Sequence, residues 1–92
     1  AIGQAEGLAE LMVFYCERAT GFIDDVGLQD EGYFDALVRM FEQALKTIAS
    51  LTDVQRPPLW VRLDAVRRAC RDLGYGVDDD MEDLLAEYRA DD

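Results

Sequence analysis

Four segments of the chain repeat apolar residues at three- and four-residue steps, which is the spacing of one face of an α-helix. These segments predict helices over residues 4–25, 31–52, 58–73 and 79–90. Stretches rich in glycine, proline and acidic residues separate them and are typical of turns. The pattern therefore predicts an all-α fold: one compact four-helix domain over residues 1–92, built from two antiparallel helical hairpins.

The first helix carries an unusually wide apolar stripe. Its periodic positions are Leu8, Leu11, Met12, Tyr15, Ala19, Phe22 and Ile23, and the run Val13-Phe14-Tyr15-Cys16 widens the stripe at mid-helix. An apolar stripe of ordinary width faces a single core. The wider one predicts contacts on more than one side, either with several helices of the domain or with a partner.

The ends of the helices have local signals. Asp30 and Glu31 place negative charge at the start of the second helix, where the helix dipole favours it. Arg56-Pro57-Pro58 is expected to end that helix near residue 52 and to put Pro58 in the first turn of the third. Gly74 is expected to stop the third helix in a left-handed conformation.

Length and composition fit a small folded domain. Ninety-two residues, half of them hydrophobic, supply one core and place the chain outside the regime of disorder. Because the chain begins with Ala1, we expect either a processed chain or a piece of a longer protein.

The charge narrows the possible partners. A net charge of −11 repels nucleic acid and anionic membranes and favours basic protein partners. Arginine supplies all but one of the nine cationic residues, which fits a GC-rich bacterial genome. With no apolar run of membrane-spanning length, no leader segment and two cysteines in apolar helical patterns, we expect a protein of the bacterial cytoplasm.

One acidic motif has the spacing of a metal site. Asp79, Asp80 and Asp83 form D-D-x-x-D, a spacing suited to Mg²⁺ in enzymes that process diphosphates, and Asp24, Asp25 and Asp30 could supply the facing ligands if the two interhelical loops lie side by side. The alternative is a helix start, in which Asp78 or Asp79 caps the free N–H groups and the other carboxylates favour the positive end of the helix. The sequence favours the helix start, with no cofactor.

Catalytic groups are scarce. The chain has no histidine, and the single candidate nucleophile is Cys70, beside Arg67, Arg68 and Arg71. The arginine-rich third helix could bind phosphate, but pairing with the acidic C-terminal tail is the simpler interpretation. The sequence therefore favours a protein without catalytic activity over an enzyme.

These features favour a non-enzymatic protein-interaction or assembly module. The interface candidates are Trp60, Val13, Phe14 and Tyr15, and the predicted partner is another protein or a second copy in a homodimer. Two alternatives remain open. One is an immunity-like inhibitor that binds a basic partner such as a nuclease. The other is a Mg²⁺-dependent hydrolase of phosphate compounds that uses the acidic loops.

Overall fold

The computed structural model describes residues 2–27, 30–73 and 76–89, and these residues form four α-helices. Helix α1 spans Ile2–Val26, α2 Glu31–Ala49, α3 Arg56–Cys70 and α4 Val77–Tyr88, and a single 3₁₀ turn, Arg71–Leu73, follows α3. The predicted all-α, four-helix class is confirmed. Within the described part of the chain, no helix combines the length and apolar content needed to cross a membrane.

Consecutive helices form the two predicted hairpins. Near the end of α1, Phe22 stacks against Tyr33 at the start of α2, with ring centroids 5.9 Å apart. Toward the other end of the pair, the Thr47 hydroxyl lies 3.3 Å from the Met12 Sδ. Arg89, just beyond α4, lies over Trp60 near the start of α3. Both hairpins are therefore antiparallel.

The two hairpins close into a ring of four helices. Helix α1 packs on α2 and α3, and α4 packs on the same two helices, so that α1 and α4 lie diagonally opposite each other. Large apolar side chains of α2 fill the middle of the ring: Phe34, Leu37, Phe41, Leu45 and Ile48. From α3 and α4 the core receives Leu59, Trp60, Leu63, Val66, Cys70, Val77, Met81 and Leu85.

Side-chain and backbone hydrogen bonds explain the boundaries of α2. The Asp30 carboxylate accepts a hydrogen bond from the Tyr33 backbone N–H at 3.1 Å and so caps the N-terminus of α2. The sequence predicts only negative charge at this end, and the structure adds the cap. The helix ends at Ala49, three residues before the predicted boundary. There the Ser50 hydroxyl donates to the Thr47 carbonyl at 2.7 Å, so the chain has already turned before the prolines are reached.

The start of α4 differs from the prediction of an aspartate cap. Its N-cap is Gly76, which has φ 68° and makes no side-chain capping bond. A left-handed φ is costly for residues with a Cβ, so glycine suits this position. The Gly76 carbonyl accepts the Asp79 and Asp80 N–H groups at 3.1 and 3.2 Å. Asp78 and Asp79 are thus first-turn residues and not caps, while Gly74, the predicted stop of α3, lies outside the described residues.

Candidate protein-binding site

The side of α1 that faces the core is lined with small and medium side chains. We call Ala9, Val13, Cys16, Thr20 and Ile23 the inner face of α1. All five are buried, the most exposed being Thr20 at 6%. Side chains of this size let α1 approach α2 and α3 closely, and they leave no room for larger ones.

The opposite side of α1 carries its largest apolar side chains. We call these six residues the outer face of α1: Leu8, Leu11, Phe14, Tyr15, Phe22 and Val26. Each is about half exposed, from 46% for Leu11 and Phe14 to 56% for Val26. The placement expected of a bundle helix is therefore inverted, because the bulk of the apolar surface points away from the core.

The interactions that hold α1 against α3 fix the orientation of both faces. Arg62 donates two hydrogen bonds to the Glu17 carboxylate, at 3.2 Å from Nε and 2.6 Å from Nη2. This bond raises the pKa of Arg62. The Thr20 hydroxyl donates to the Cys16 carbonyl at 2.8 Å and lies 3.8 Å from the Cys70 Sγ. Helix α1 is thus held against α3 around Glu17 and Thr20, and its outer face cannot rotate into the core without breaking these contacts.

Both thiols belong to the core and are poor nucleophiles. Cys16 and Cys70 are free and fully buried. Burial, with smaller contributions from Cys70 and Glu17, raises the pKa of Cys16 to about 12. Burial also raises the pKa of Cys70. A thiolate is the reactive form of cysteine, so this geometry disfavours the candidate nucleophile Cys70 near neutral pH.

The four predicted interface residues separate into two pairs. Phe14 and Tyr15 lie on the outer face of α1, with ring centroids 6.1 Å apart. Val13 is fully buried and Trp60 is 3% exposed, so neither side chain is available to a partner in this conformation. The Trp60 ring packs in the core with the Arg89 guanidinium 5.6 Å from its centroid, and its Nε1 has no hydrogen-bond partner among the residues that the structure describes. An interface through Phe14 and Tyr15 stays a prediction.

The predicted metal-binding carboxylates lie on two separate helices. Asp24 and Asp25 are exposed near the end of α1, and Asp79, Asp80 and Asp83 are exposed on α4, diagonally across the ring. Among the residues that the structure describes, no three acidic or cysteine side chains come together in a way that could hold a metal ion. The geometry therefore offers no converging carboxylates for Mg²⁺.

The arginines of α3 pair with carboxylates outside α4. Arg67 and Arg68 both bind Asp64 of their own helix, at 3.0 and 2.9 Å, and Arg62 binds α1 as described above. Arg68 is exposed, and its pair with Asp64 contributes about 0.2 to 1 kcal/mol, whereas Arg67 and Asp64 are themselves partly buried. For these three arginines, the predicted attraction to the acidic C-terminal segment is replaced by closer partners.

The sequence interpretation missed most of the outer face as an interface candidate. Leu8, Leu11 and Phe22 fit the helical spacing of apolar residues and so look like core positions in the sequence. Helical spacing does not show whether the core has room for side chains of that size. A second series with helical spacing, Ala9, Val13, Cys16 and Thr20, was the usable signal. Small residues in such a series mark close helix packing, so the large residues beside them must point elsewhere.

Comparison with known protein families, with curated proteins and with solved structures found no match to this chain. The geometry of α1 is thus the basis for the functional interpretation.

Proposed function

We propose that this protein is a non-enzymatic protein-interaction module and that the outer face of α1 is its binding surface. The observation that carries the proposal is the inversion of α1: six large apolar side chains are about half exposed, while Ala9, Val13, Cys16 and Thr20 line the core with Ile23 as the single large residue among them. Monomeric proteins rarely expose apolar patches larger than about 300 to 600 Å². The outer face lies at the upper end of this range, and contacts with α3 hold α1 in this orientation. An apolar surface of this size on such a helix is best explained as one half of an interface.

The size of the outer face supports this proposal. Large side chains carry on the order of 200 Å² each, so six that are about half exposed offer roughly 600 Å². A standard interface buries about 800 Å² per partner, of which somewhat more than half is apolar. The outer face therefore supplies the apolar area that a specific interface requires, and its aromatic residues belong to the types enriched in such interfaces.

The test is site-specific crosslinking in living cells. A photo-crosslinking amino acid replaces Leu11 on the outer face of α1, and a matched variant carries it at Val61, which is 69% exposed on α3. The proposal predicts a covalent adduct at Leu11, identified by mass spectrometry as one defined protein chain, and little or none at Val61. Equal yields at the two positions, or no adduct at either, would refute it.

A further inference from the structure

We infer that the chain that covers the outer face of α1 is a second copy of this protein, with the two α1 helices packed antiparallel about a two-fold axis between residues 14 and 15. This inference rests on the proposed function, because it names the occupant of the proposed binding surface. Its argument comes from two exposed glycines, the order of bulky and small residues along α1, and the distribution of charge.

The first observation is that α1 carries three exposed glycines with open space around them, Gly3 in its first turn and Gly7 and Gly21 in its interior. Gly7 and Gly21 are exposed, and a Cβ added at either position would meet no atom within 4 Å. Glycine in the interior of a helix costs about 1 kcal/mol relative to alanine. Since packing within the chain does not require them, the two glycines fit a surface that another backbone approaches closely.

The second observation is the order of small and bulky residues. Gly7-Leu8, Phe14-Tyr15 and Gly21-Phe22 are three adjacent pairs at seven-residue intervals, a heptad spacing that keeps one seam facing a partner helix. The glycine pairs lie at equal distances from the central aromatic pair. Reversal about the midpoint therefore places each glycine opposite a bulky residue, so the surface is complementary to itself, as an isologous contact requires.

In the antiparallel dimer, the second copy of α1 runs in the opposite direction and places bulky residues opposite glycines of the first copy. About an axis between residues 14 and 15, Gly7 and Leu8 lie level with Phe22 and Gly21 of the second copy. Each end of the interface then combines bulky side chains with glycines that let the helices approach. At the centre, the Phe14-Tyr15 pair of one copy meets the same pair of the other, where aromatic rings add stabilisation beyond their buried area.

Charge also permits this pairing. In the same register Arg18 lies level with Leu11 of the second copy and one residue from its Glu10, so the cation that interrupts the outer face gains a carboxylate neighbour. No acidic residue of α1 lies level with an acidic residue of the partner helix, and the nearest like-charge approach is Asp24, which lies level with Ala5 and one residue from Glu6 of the second copy. The net charge of −11 on each copy still opposes association through the long-range field, which salt screens. Self-association should consequently strengthen with salt, whereas binding to a basic partner should weaken.

The test combines sedimentation with a charge exchange at the axis. As its concentration rises, the wild-type protein is expected to change from the mass of one chain to the mass of two. This change should occur at a lower protein concentration in high salt than in low salt. Phe14→Glu and Phe14→Lys each place like charges on the two copies beside the axis. Each variant alone should therefore dimerise at least about tenfold more weakly, and an equimolar mixture should restore the dimer. Val61→Glu and Val61→Lys are the matched controls and should leave the wild-type curve unchanged.

A further variant separates association from folding. Gly7→Leu should raise the melting temperature of the dilute chain, because it removes a helix-interior glycine, yet weaken the dimer by blocking close approach. Concentration-independent monomer mass, unchanged dimerisation of the Phe14 variants, or a mixture that fails to recover would each overturn the inference. A monomeric wild type together with a Leu11 adduct to a different chain would overturn the homodimer alone and leave the proposed function standing.

Discussion

Helices α1 and α2 are neighbours in one hairpin, yet they distribute similar residues in opposite ways. Helix α2 buries its large side chains, among them Phe34, Leu37 and Phe41, and exposes polar residues on its other side. Helix α1 buries Ala9, Val13 and Cys16 and exposes aromatic and leucine side chains. A large apolar residue is therefore mostly buried in the core on α2, whereas on α1 most of the large apolar residues stay about half exposed.

Folding and the proposed association therefore depend on different helices of the same hairpin. The hydrophobic free energy of folding comes mainly from α2 and the helices facing it, because burial of a large side chain is worth about 1.5 to 3 kcal/mol. Apart from Ile23, helix α1 closes the core with small and medium side chains and keeps most of its large apolar side chains about half exposed. Substitutions on the two helices should consequently affect stability and association independently.

The largest effect should come from truncating an aromatic residue of α2. Phe41→Ala removes a fully buried ring and leaves a cavity, with an expected loss of about 3–5 kcal/mol in the free energy of unfolding. Phe14→Ala on α1 is the matched control and should change this free energy by no more than about 0.5 kcal/mol. Urea unfolding followed by circular dichroism, at a concentration below that of any association, measures both. Equal losses would show that the two helices do not differ as described.

A smaller effect is expected from enlarging the inner face of α1. Ala9→Leu adds three carbon atoms at a fully buried position where α1 lies close to its neighbours, and overpacking of this kind costs about 1–3 kcal/mol. Ala36→Leu on the exposed side of α2 makes the same chemical change and should cost almost nothing, because leucine and alanine have similar helix propensities. A tolerated Ala9→Leu, measured by the same urea titration, would mean that α1 is loosely packed.

The smallest effect concerns pH, because α1 contributes an ionisable group to the core and the inner side of α2 contributes none. The thiol of Cys16 has a pKa of about 12 in the folded chain, against 9.0 for an unperturbed thiol. Between these two pH values the unfolded chain loses the Cys16 proton while the folded chain keeps it. The contribution of Cys16 to the free energy of unfolding is therefore constant below about pH 9 and falls as the pH rises toward 12. Cys16→Ala should flatten this decline relative to wild type in chemical unfolding at pH 8, 9 and 10. Parallel curves for the two proteins would contradict the buried position of the thiol.

The sequence predicted the helices well because their signals are local. Asp30 marks the start of α2, Pro57 and Pro58 mark the start of α3 to within two residues, and the large apolar residues of α2 point to one side only. Two features escaped prediction. The start of α4 depends on the left-handed Gly76, and in the sequence the adjacent aspartates are the stronger cap signal. The orientation of α1 depends on the distance between helices, which periodicity does not contain.

Trp60 gives the molecule an optical reporter of its own. It is the chain's single tryptophan, its indole is buried where α3 meets α4, and the Arg89 guanidinium lies over the ring. Indole emission moves to longer wavelength when water reaches the ring. Because α1 and α4 lie diagonally opposite each other, binding of a partner to the outer face of α1 should leave the emission wavelength of Trp60 unchanged. Loosening of α4 should move the emission to longer wavelength. Without any attached dye, the emission spectrum can thus distinguish a chain that has found a partner from one that has begun to unfold.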